Sequence, residues 1–364
     1  MYLEHFTVRN VRNISDAILD PSPSLNLIHG SNGSGKTSLL EALHLLLVGR
    51  SFRNQHRFRS LVQEGTDECL VVGRFRRDDG QTDRLGVRRN IAEKAEAKLN
   101  GERVRSIAQL ASIAPVQVLD SDLVEMVLGP PALRRQLIDW GLFHVEHSFL
   151  SLWRQADRAL KQRNGALRHG KIDYSQIELW SLEYARYGAL LGQSRQEYVE
   201  ALTVQLDPVL QQVAPSMAAQ VRLEYTQGWS GDSDQLRQQL LDSIDRDVQL
   251  GQTRVGPHRA DIKIRIAGAL ASDVLSRGQL KLIAAAVRLA QVRLLYARTR
   301  KAGLVLVDDL PAELDKQYRS ALWAAIGATP GQHFITCIEP DEVAHSWGHH
   351  APPQMFHVEH GIVS

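Results

Sequence analysis

An α/β fold is predicted by three features of this 364-residue sequence. The apolar run Leu25–His29 breaks into the loop Gly30-Ser31-Asn32-Gly33-Ser34-Gly35-Lys36-Thr37 and then into a leucine-rich helix. Residues 68–105 alternate apolar and charged side chains between hairpin turns, which predicts an antiparallel β subdomain. From about 132 to 213 the apolar period becomes helical, which predicts a mainly helical insertion.

Bulk properties bound the class. The length suits two domains, or one domain with a large insertion. A hydrophobic content of 43% with 23% charged residues is that of a water-soluble globular chain. No run approaches the ~20 apolar residues of a membrane span, and the first residues lack the apolar centre of a signal peptide. Cys69 and Cys337 form neither a disulfide framework nor a metal pattern, so a cytoplasmic location is expected. A net charge of +2 leaves nucleic-acid binding to local clusters.

In chain order, 2–9 and 15–19 read as strands joined by a turn at Asn10 and Asn13. The loop 30–37 then meets G-x-x-x-x-G-K-[ST] at every defined position, between a strand and a helix. Its glycines let successive N–H groups turn inward, and the helix N-terminus adds partial positive charge. Lys36 is placed to reach the outer phosphates and the Thr37 hydroxyl to hold Mg²⁺. The stretch predicts an ATP or GTP site. The following helix, with Leu39, Leu40, Leu43, Leu46 and Leu47, reads as amphipathic.

Next comes a basic segment with two phenylalanines, carrying Arg50, Arg53, Arg57 and Arg59. It reads equally as a solvated loop or as a surface for an adenine ring or a nucleic-acid backbone. In the meander, Asp79-Gly80 and Asn100-Gly101 mark turns, and Arg74, Arg76, Arg77, Arg84, Arg88 and Arg89 are assigned to its outer face. Such a stripe suits duplex phosphates, although half-buried sheets commonly carry charged outer faces.

PVQVLDSD near 115 reads as a strand leaving the first lobe. Helices are expected from Ala132, near 145–168 and near 174–206, without the sustained heptads of a long coiled coil. A strand at 221–229 and a helix at 234–249 precede Arg254–Asp261, whose His258, Arg259 and Asp261 hint at a site. Leu275-Ser276-Arg277-Gly278-Gln279 opens a further helix. Ser276 is suited to cap it, and Gly278 leaves room for a phosphate at its free N–H groups. Gly303–Val307 is a buried strand tipped by Asp308, the candidate magnesium ligand, and Asp309, the candidate to orient or deprotonate the attacking water. Glu313-Leu314-Asp315, a helix near 316–327, a strand HFITCI and a terminal hairpin complete the chain.

In this order the pieces resemble ATPase heads of the ABC/SMC class, with GSNGSGKT as Walker A, LSRGQLK as signature, LVLVDD as Walker B and ELD as D-loop. RRQLIDWGLFHVEH, RVGPHRADI, DDLPAELD and the terminal MFHVEHG narrow the resemblance to the RecF family, end to end. The resemblance implies a P-loop head from residues 1–116 and 250–364, with 117–249 as the inserted lobe. It implies ATP and Mg²⁺ as cofactors and slow hydrolysis stimulated by DNA. Lys36, Asp308 and Asp309 would be catalytic, and Thr37 and Asp308 would hold the metal. It implies an ATP-dependent homodimer in which Ser276, Gly278, Gln279 and Asp315 of one copy complete the Gly30–Thr37 site of the other. Implied partners are duplex or gapped DNA, ds–ss junctions, RecR and RecO, with RecA loaded indirectly, and no membrane.

The sequence departs from the wider class. Asp309 stands where glutamate is usual, and Thr336, Glu339 and Asp341 occupy the neighbourhood of the switch histidine. Gln117 is the candidate for the glutamine loop. Binding rather than rapid turnover is therefore expected to drive function. The repeated FHVEH at 143–147 and 356–360 is read as packing or interface rather than a zinc site, for want of a third ligand. A transporter ATPase subunit is disfavoured by the helical insertion and the arginine meander, an SMC-type structural head by the missing heptads, and a nuclease by the missing carboxylate cluster.

Overall fold

The computed structural model describes residues 1–53, 58–92, 95–168, 172–310, 314–347 and 352–364. Two compact units emerge, Met1–Leu123 with Leu295–Ser364, and Val124–Leu294. The sequence reading draws the boundary at 117 and 249 instead. Pairing of Val221–Thr226 with Asp261–Ile266 explains why 250–294 is assigned with the second unit.

The first unit holds two six-stranded sheets. One is antiparallel: Ile14–Leu19, Tyr2–Val11, Glu68–Arg76, Thr82–Asn90, Ala95–Leu99 and Glu102–Arg103, in that order. The other orders Ile362–Val363, Gln354–Glu359, Leu25–His29, Gly331–Cys337, Gly303–Val307 and Val116–Leu119; all its pairs are parallel except the terminal hairpin. The parallel strands therefore end at one edge, where α/β sheets place their ligands.

The helix Lys36–Val48 is packed into the core these sheets share, and Ser38–Leu47 are all buried. This departs from the expected amphipathic helix. The leucine stripe meets one sheet, and the opposite side is covered too, so the polar Glu41 and His44 need internal partners. Arg12 bonds Glu41 through Nη2 at 2.8 Å and Nε at 2.9 Å, and the Ser51 hydroxyl donates to the same carboxylate. His44 Nδ1 meets the Arg50 carbonyl at 2.6 Å.

The second unit is built on the helices Pro131–Val145, Phe149–Leu167 and Tyr174–Val213, the last 40 residues long, beside a three-stranded antiparallel sheet. Tyr174–Val213 outruns the expected 174–206 because Pro208 lies inside it without ending it. The predicted helix at 234–249 is two, Ser233–Asp242 and Ile244–Leu250. Fully buried Arg163 ties this unit together, donating to Asp247 and Thr253 at 2.7 Å, Ser181 at 2.8 Å and the Leu240 carbonyl at 2.9 Å. A buried guanidinium with this many acceptors is tolerated because its donors are satisfied.

Among the described residues no helix is long and apolar enough to cross a membrane.

Candidate functional site

A cavity of about 400 Å³ opens at the C-terminal edge of the parallel sheet, lined by Asn32, Gly33, Gly35, Lys36, Thr37, Asp308 and Asp309, together with Asn13, Ser38, Arg53, Thr336, Cys337 and Ile338. Sheet topology explains the meeting of Thr37 and Asp308, 271 positions apart. The loop leaves Leu25–His29, Asp308 follows Gly303–Val307, and the intervening strand Gly331–Cys337 delivers Thr336 between them.

The loop conformation demands glycine. Gly30 has φ 149° and Gly35 has φ 123°; a Cβ on Gly30 would sit 2.2 Å from the Val358 carbonyl oxygen. Lys36 Nζ donates to the carbonyls of Gly30 at 2.8 Å and Ser31 at 2.9 Å, so its charge rests over the loop mouth. Thr37 Oγ1 donates to Asp308 Oδ1 at 2.9 Å, and Thr336 Oγ1 donates to the same oxygen at 3.0 Å.

Asp308 is buried, and burial pushes its pKa above the ordinary carboxylate range despite the Thr37 and Thr336 bonds and the Arg53 charge. A carboxylate disfavoured as a bare anion beside a threonine hydroxyl suits a hard cation with oxygen ligands. Asp309 is exposed, with φ 46°, a left-handed conformation that aspartate tolerates. Its N–H donates to Thr336 Oγ1 at 3.0 Å. Thr336, which the sequence offered only as an occupant of the switch neighbourhood, thus orients both aspartates.

Two further supports carried no motif. Asn13 Nδ2 donates to the Ser34 carbonyl at 3.0 Å and its Oδ1 accepts from Ser38 Oγ at 2.8 Å. The Gly361 N–H donates to that same Ser34 carbonyl at 2.8 Å. The second FHVEH segment accordingly braces the loop from outside: Phe356 and Val358 are buried, and His357 stacks on His29 with ring centroids 5.0 Å apart. In the first segment His144 packs on Trp140 and Phe143. Among the described residues no group of three or more His, Cys, Asp or Glu side chains placed to hold a metal occurs.

The remaining site residues fall elsewhere. Ser276, Gly278 and Gln279 belong to the second unit, where Ser276 opens the helix Arg277–Thr299. Its Oγ accepts from Gln279 N–H at 3.3 Å and its own N–H donates to Gln279 Oε1 at 3.0 Å, a reciprocal cap that presents the exposed serine at the helix start. Asp315 caps Lys316–Gly327, accepting from Tyr318 N–H at 3.0 Å. Gln117 is buried within Val116–Leu119 rather than in a loop.

Of the basic candidates, Arg53 lines the nucleotide cavity, and Arg50 and Arg59 are exposed. Arg57, like Glu313 of the D-loop, lies outside the described residues. Arg74 and Arg76 both bind Glu4, at 2.6 and 2.5 Å, so this part of the stripe is partly neutralised by the chain itself. In the 254–261 cluster, Asp261 pairs with Arg134 at 2.7 Å, and His258 Nδ1 meets the Tyr184 hydroxyl at 2.6 Å.

The family described as RecF/RecN/SMC N terminal domain matches residues 2–364. Proteins named DNA replication and repair protein RecF from Pseudomonas paraeruginosa and Azotobacter vinelandii are each 41% identical, over 100% of this chain and 98% of their own length. A solved structure described as the recombination mediator protein RecF-ATP in the RecFOR pathway superposes with a TM-score of 0.85 at 26% identity, covering 100% of this chain and 97% of that one. An SMC head bound to the C-winged helix domain of ScpA gives 0.62 at 15% identity, covering 100% and 96%, which shows the shared ABC/SMC-type ATPase fold alone. Full-length identity of this order, on a fold that carries the nucleotide loop at the same sheet edge as the paired aspartates, shows that the chain belongs to the RecF family.

Proposed function

We propose that this chain is an ATP-dependent, DNA-binding recombination mediator that acts in DNA repair and replication at single-strand gaps and ds–ss junctions. The carrying observation is the convergence of Lys36, Thr37, Asp308 and Asp309 on one cavity beside a glycine loop of fixed shape. The likeness to RecF bound to ATP supports ATP as the nucleotide. The loop N–H groups and Lys36 would hold phosphate oxygens, and Thr37 and Asp308 would hold Mg²⁺. When bound, Mg²⁺ would supply positive charge to offset that of the phosphates. Asp309, held by Thr336, orients the attacking water. Its carboxylate is one methylene shorter than glutamate's, which supports slow turnover, below the ~10 s⁻¹ median of enzymes.

Ser276, Gly278 and Gln279, with Asp315, act in trans: the exposed helix start of one copy meets the phosphates held by the other, and the isologous pairing makes two equal sites. Exposed Arg50 and Arg59 are assigned to DNA, with Arg53 coupling that segment to the nucleotide. Arg74 and Arg76 serve DNA only by exchanging Glu4 for phosphate. RecR and RecO are the proposed protein partners and RecA the indirect beneficiary, a reading supported by the pathway in which the RecF relative is described.

The test measures sedimentation and retention on gapped duplex with ATP, with ADP and without nucleotide. Dimers and retention should require ATP. A monomer at saturating ATP, with or without DNA, contradicts the proposal.

A further inference from the structure

The second unit holds a cleft that the nucleotide chemistry leaves unused. Its volume is about 260 Å³, and it lies among the helices Pro131–Val145, Phe149–Leu167 and Tyr174–Val213 and the turn Pro257–Arg259. Trp153, Leu160 and Leu191 give it an apolar lining, with Trp153 still 37% exposed. Arg135, Arg195 and His258 line it as well.

The charges around the cleft are unevenly engaged. Arg195 is held by both oxygens of Asp139 at 2.8 Å and donates to the Pro257 carbonyl at 2.7 Å. Asp157, on the rim, pairs with Lys161 at 2.7 Å. His258 is bonded on both ring nitrogens, to the Tyr184 hydroxyl and the Thr253 carbonyl, and burial lowers its pKa to about 4, so it is neutral. Arg135 donates Nη1 to the Ala260 carbonyl at 2.8 Å and makes no ion pair among the described residues. Burial, and then the guanidiniums of Arg195 and Arg259, disfavour its charge, and the carboxylates of Asp261 and Asp139 offset this only in part, a balance that an incoming anion on Arg135 would improve.

We propose that this cleft binds the C-terminal residue of a partner polypeptide, with its apolar side chain against Trp153, Leu160 and Leu191 and its α-carboxylate on Arg135. Charge and size suit this occupant: the Arg135 guanidinium has no ion pair among the described residues and lies beside apolar side chains, in a volume near the low end of the ~300–1,000 Å³ of ligand pockets. Within a polypeptide, only the C-terminal residue joins an apolar side chain to a carboxylate, a known recognition mode. The proposal does not rest on the nucleotide reading.

The test titrates the full-length protein with three peptides: Ac-Gly-Ser-Gly-Ser-Phe with a free carboxylate, the same peptide amidated, and amidated Ac-Gly-Ser-Gly-Asp-Phe. Affinity is read by calorimetry, and the Trp153 indole signal, identified with Trp153→Phe, by nitrogen-15 NMR. The free acid should bind at least about tenfold more tightly than the amide, as for a charge-assisted hydrogen bond, and should shift the Trp153 signal. Arg135→Gln should erase that preference without changing the thermal midpoint, and Arg135→Lys should keep part of it. If Arg135→Gln fails to fold, Trp153→Glu in the exposed part of the lining should weaken the free acid by a similar factor through repulsion. Equal affinity of acid and amide, or no saturable binding by about 1 mM, overturns the proposal. Equal affinity of the aspartate peptide overturns the chain-end assignment.

Discussion

Asp308 shows how one residue's surroundings set what it can hold. Burial raises its pKa, so in the nucleotide-free protein the folded state binds its proton more tightly than the unfolded chain does. Its contribution is therefore fully favourable below the ordinary aspartate pKa and is lost as pH rises through the raised value. Asp308→Asn should raise the thermal midpoint of the nucleotide-free protein at pH 7. It should also remove the stabilisation by Mg²⁺-ATP, which in the parent is about 2.7 kcal/mol at a hundredfold excess over Kd. Thermal melts with and without Mg²⁺-ATP check both signs, and a lowered nucleotide-free midpoint with an intact ATP shift contradicts the assignment. Lys36 rests on two loop carbonyls at 2.8 and 2.9 Å. Lys36→Ala should weaken nucleotide binding on the order of 100-fold, since bonds to a charged group are worth ~1.5–3 kcal/mol each, and should abolish ATP-dependent retention on DNA while far-UV circular dichroism stays unchanged. Retention equal to the parent's would remove the loop from the mechanism. Both residues were legible in the sequence because their spacing carries the chemistry. Thr336 and Asn13 were not legible as site residues, since nothing in their own segments says that they end beside Asp308 and Ser34.

At the scale of elements, the C-terminal hairpin is the least expected contributor. Gln354–Glu359 lies parallel to Leu25–His29, and the following turn puts Gly361 at φ 81°, where a Cβ would come 2.0 Å from the Asn13 carbonyl. Gly361→Val should push the turn off and leave the Ser34 carbonyl one partner short. ATP affinity should then fall about 5- to 30-fold, as for a loss of one to two kcal/mol, measured by calorimetry on a protein whose melting stays cooperative. Unchanged affinity would reduce the hairpin to a sheet edge. The sequence announced a terminal hairpin but not its neighbour, because strand order in a parallel sheet depends on long-range pairing. The same limit explains the helix Lys36–Val48. Leucine spacing marked one apolar stripe, while burial of Glu41 and His44 follows only once both sides are covered.

For the molecule as a whole, two observables report on the assembly and the fold. Ser276 is exposed at a capped helix start, so Ser276→Arg should leave ATP binding by single copies within a few-fold of the parent and block ATP-dependent dimers; sedimentation decides, and normal dimers refute the composite site. Acid stability should reflect the buried His44 and His333 in the first unit and the half-buried His258 in the second, each lowered from the usual 6.5 to about 4, chiefly by burial. Groups with depressed folded-state pKa values stabilise above the unfolded value and lose that stabilisation as pH falls towards 4. Between pH 6.5 and 4 the first unit should lose up to about 2.7 kcal/mol per pH unit, two groups at ~1.36 each; urea titrations across this range would contradict the burial if stability stayed flat. The sequence by itself determined the glycine loop, the strand tipped by aspartates, the capped helix at Ser276 and the family resemblance, because each is a local pattern whose spacing is its chemistry. Only the tertiary structure decided where 250–294 groups, that Glu4 holds Arg74 and Arg76, that Asp261 pairs with Arg134, and that Thr336 meets the aspartates and Gly361 the loop. These depend on contacts between segments far apart in the chain, and no local pattern encodes which segment arrives next to which.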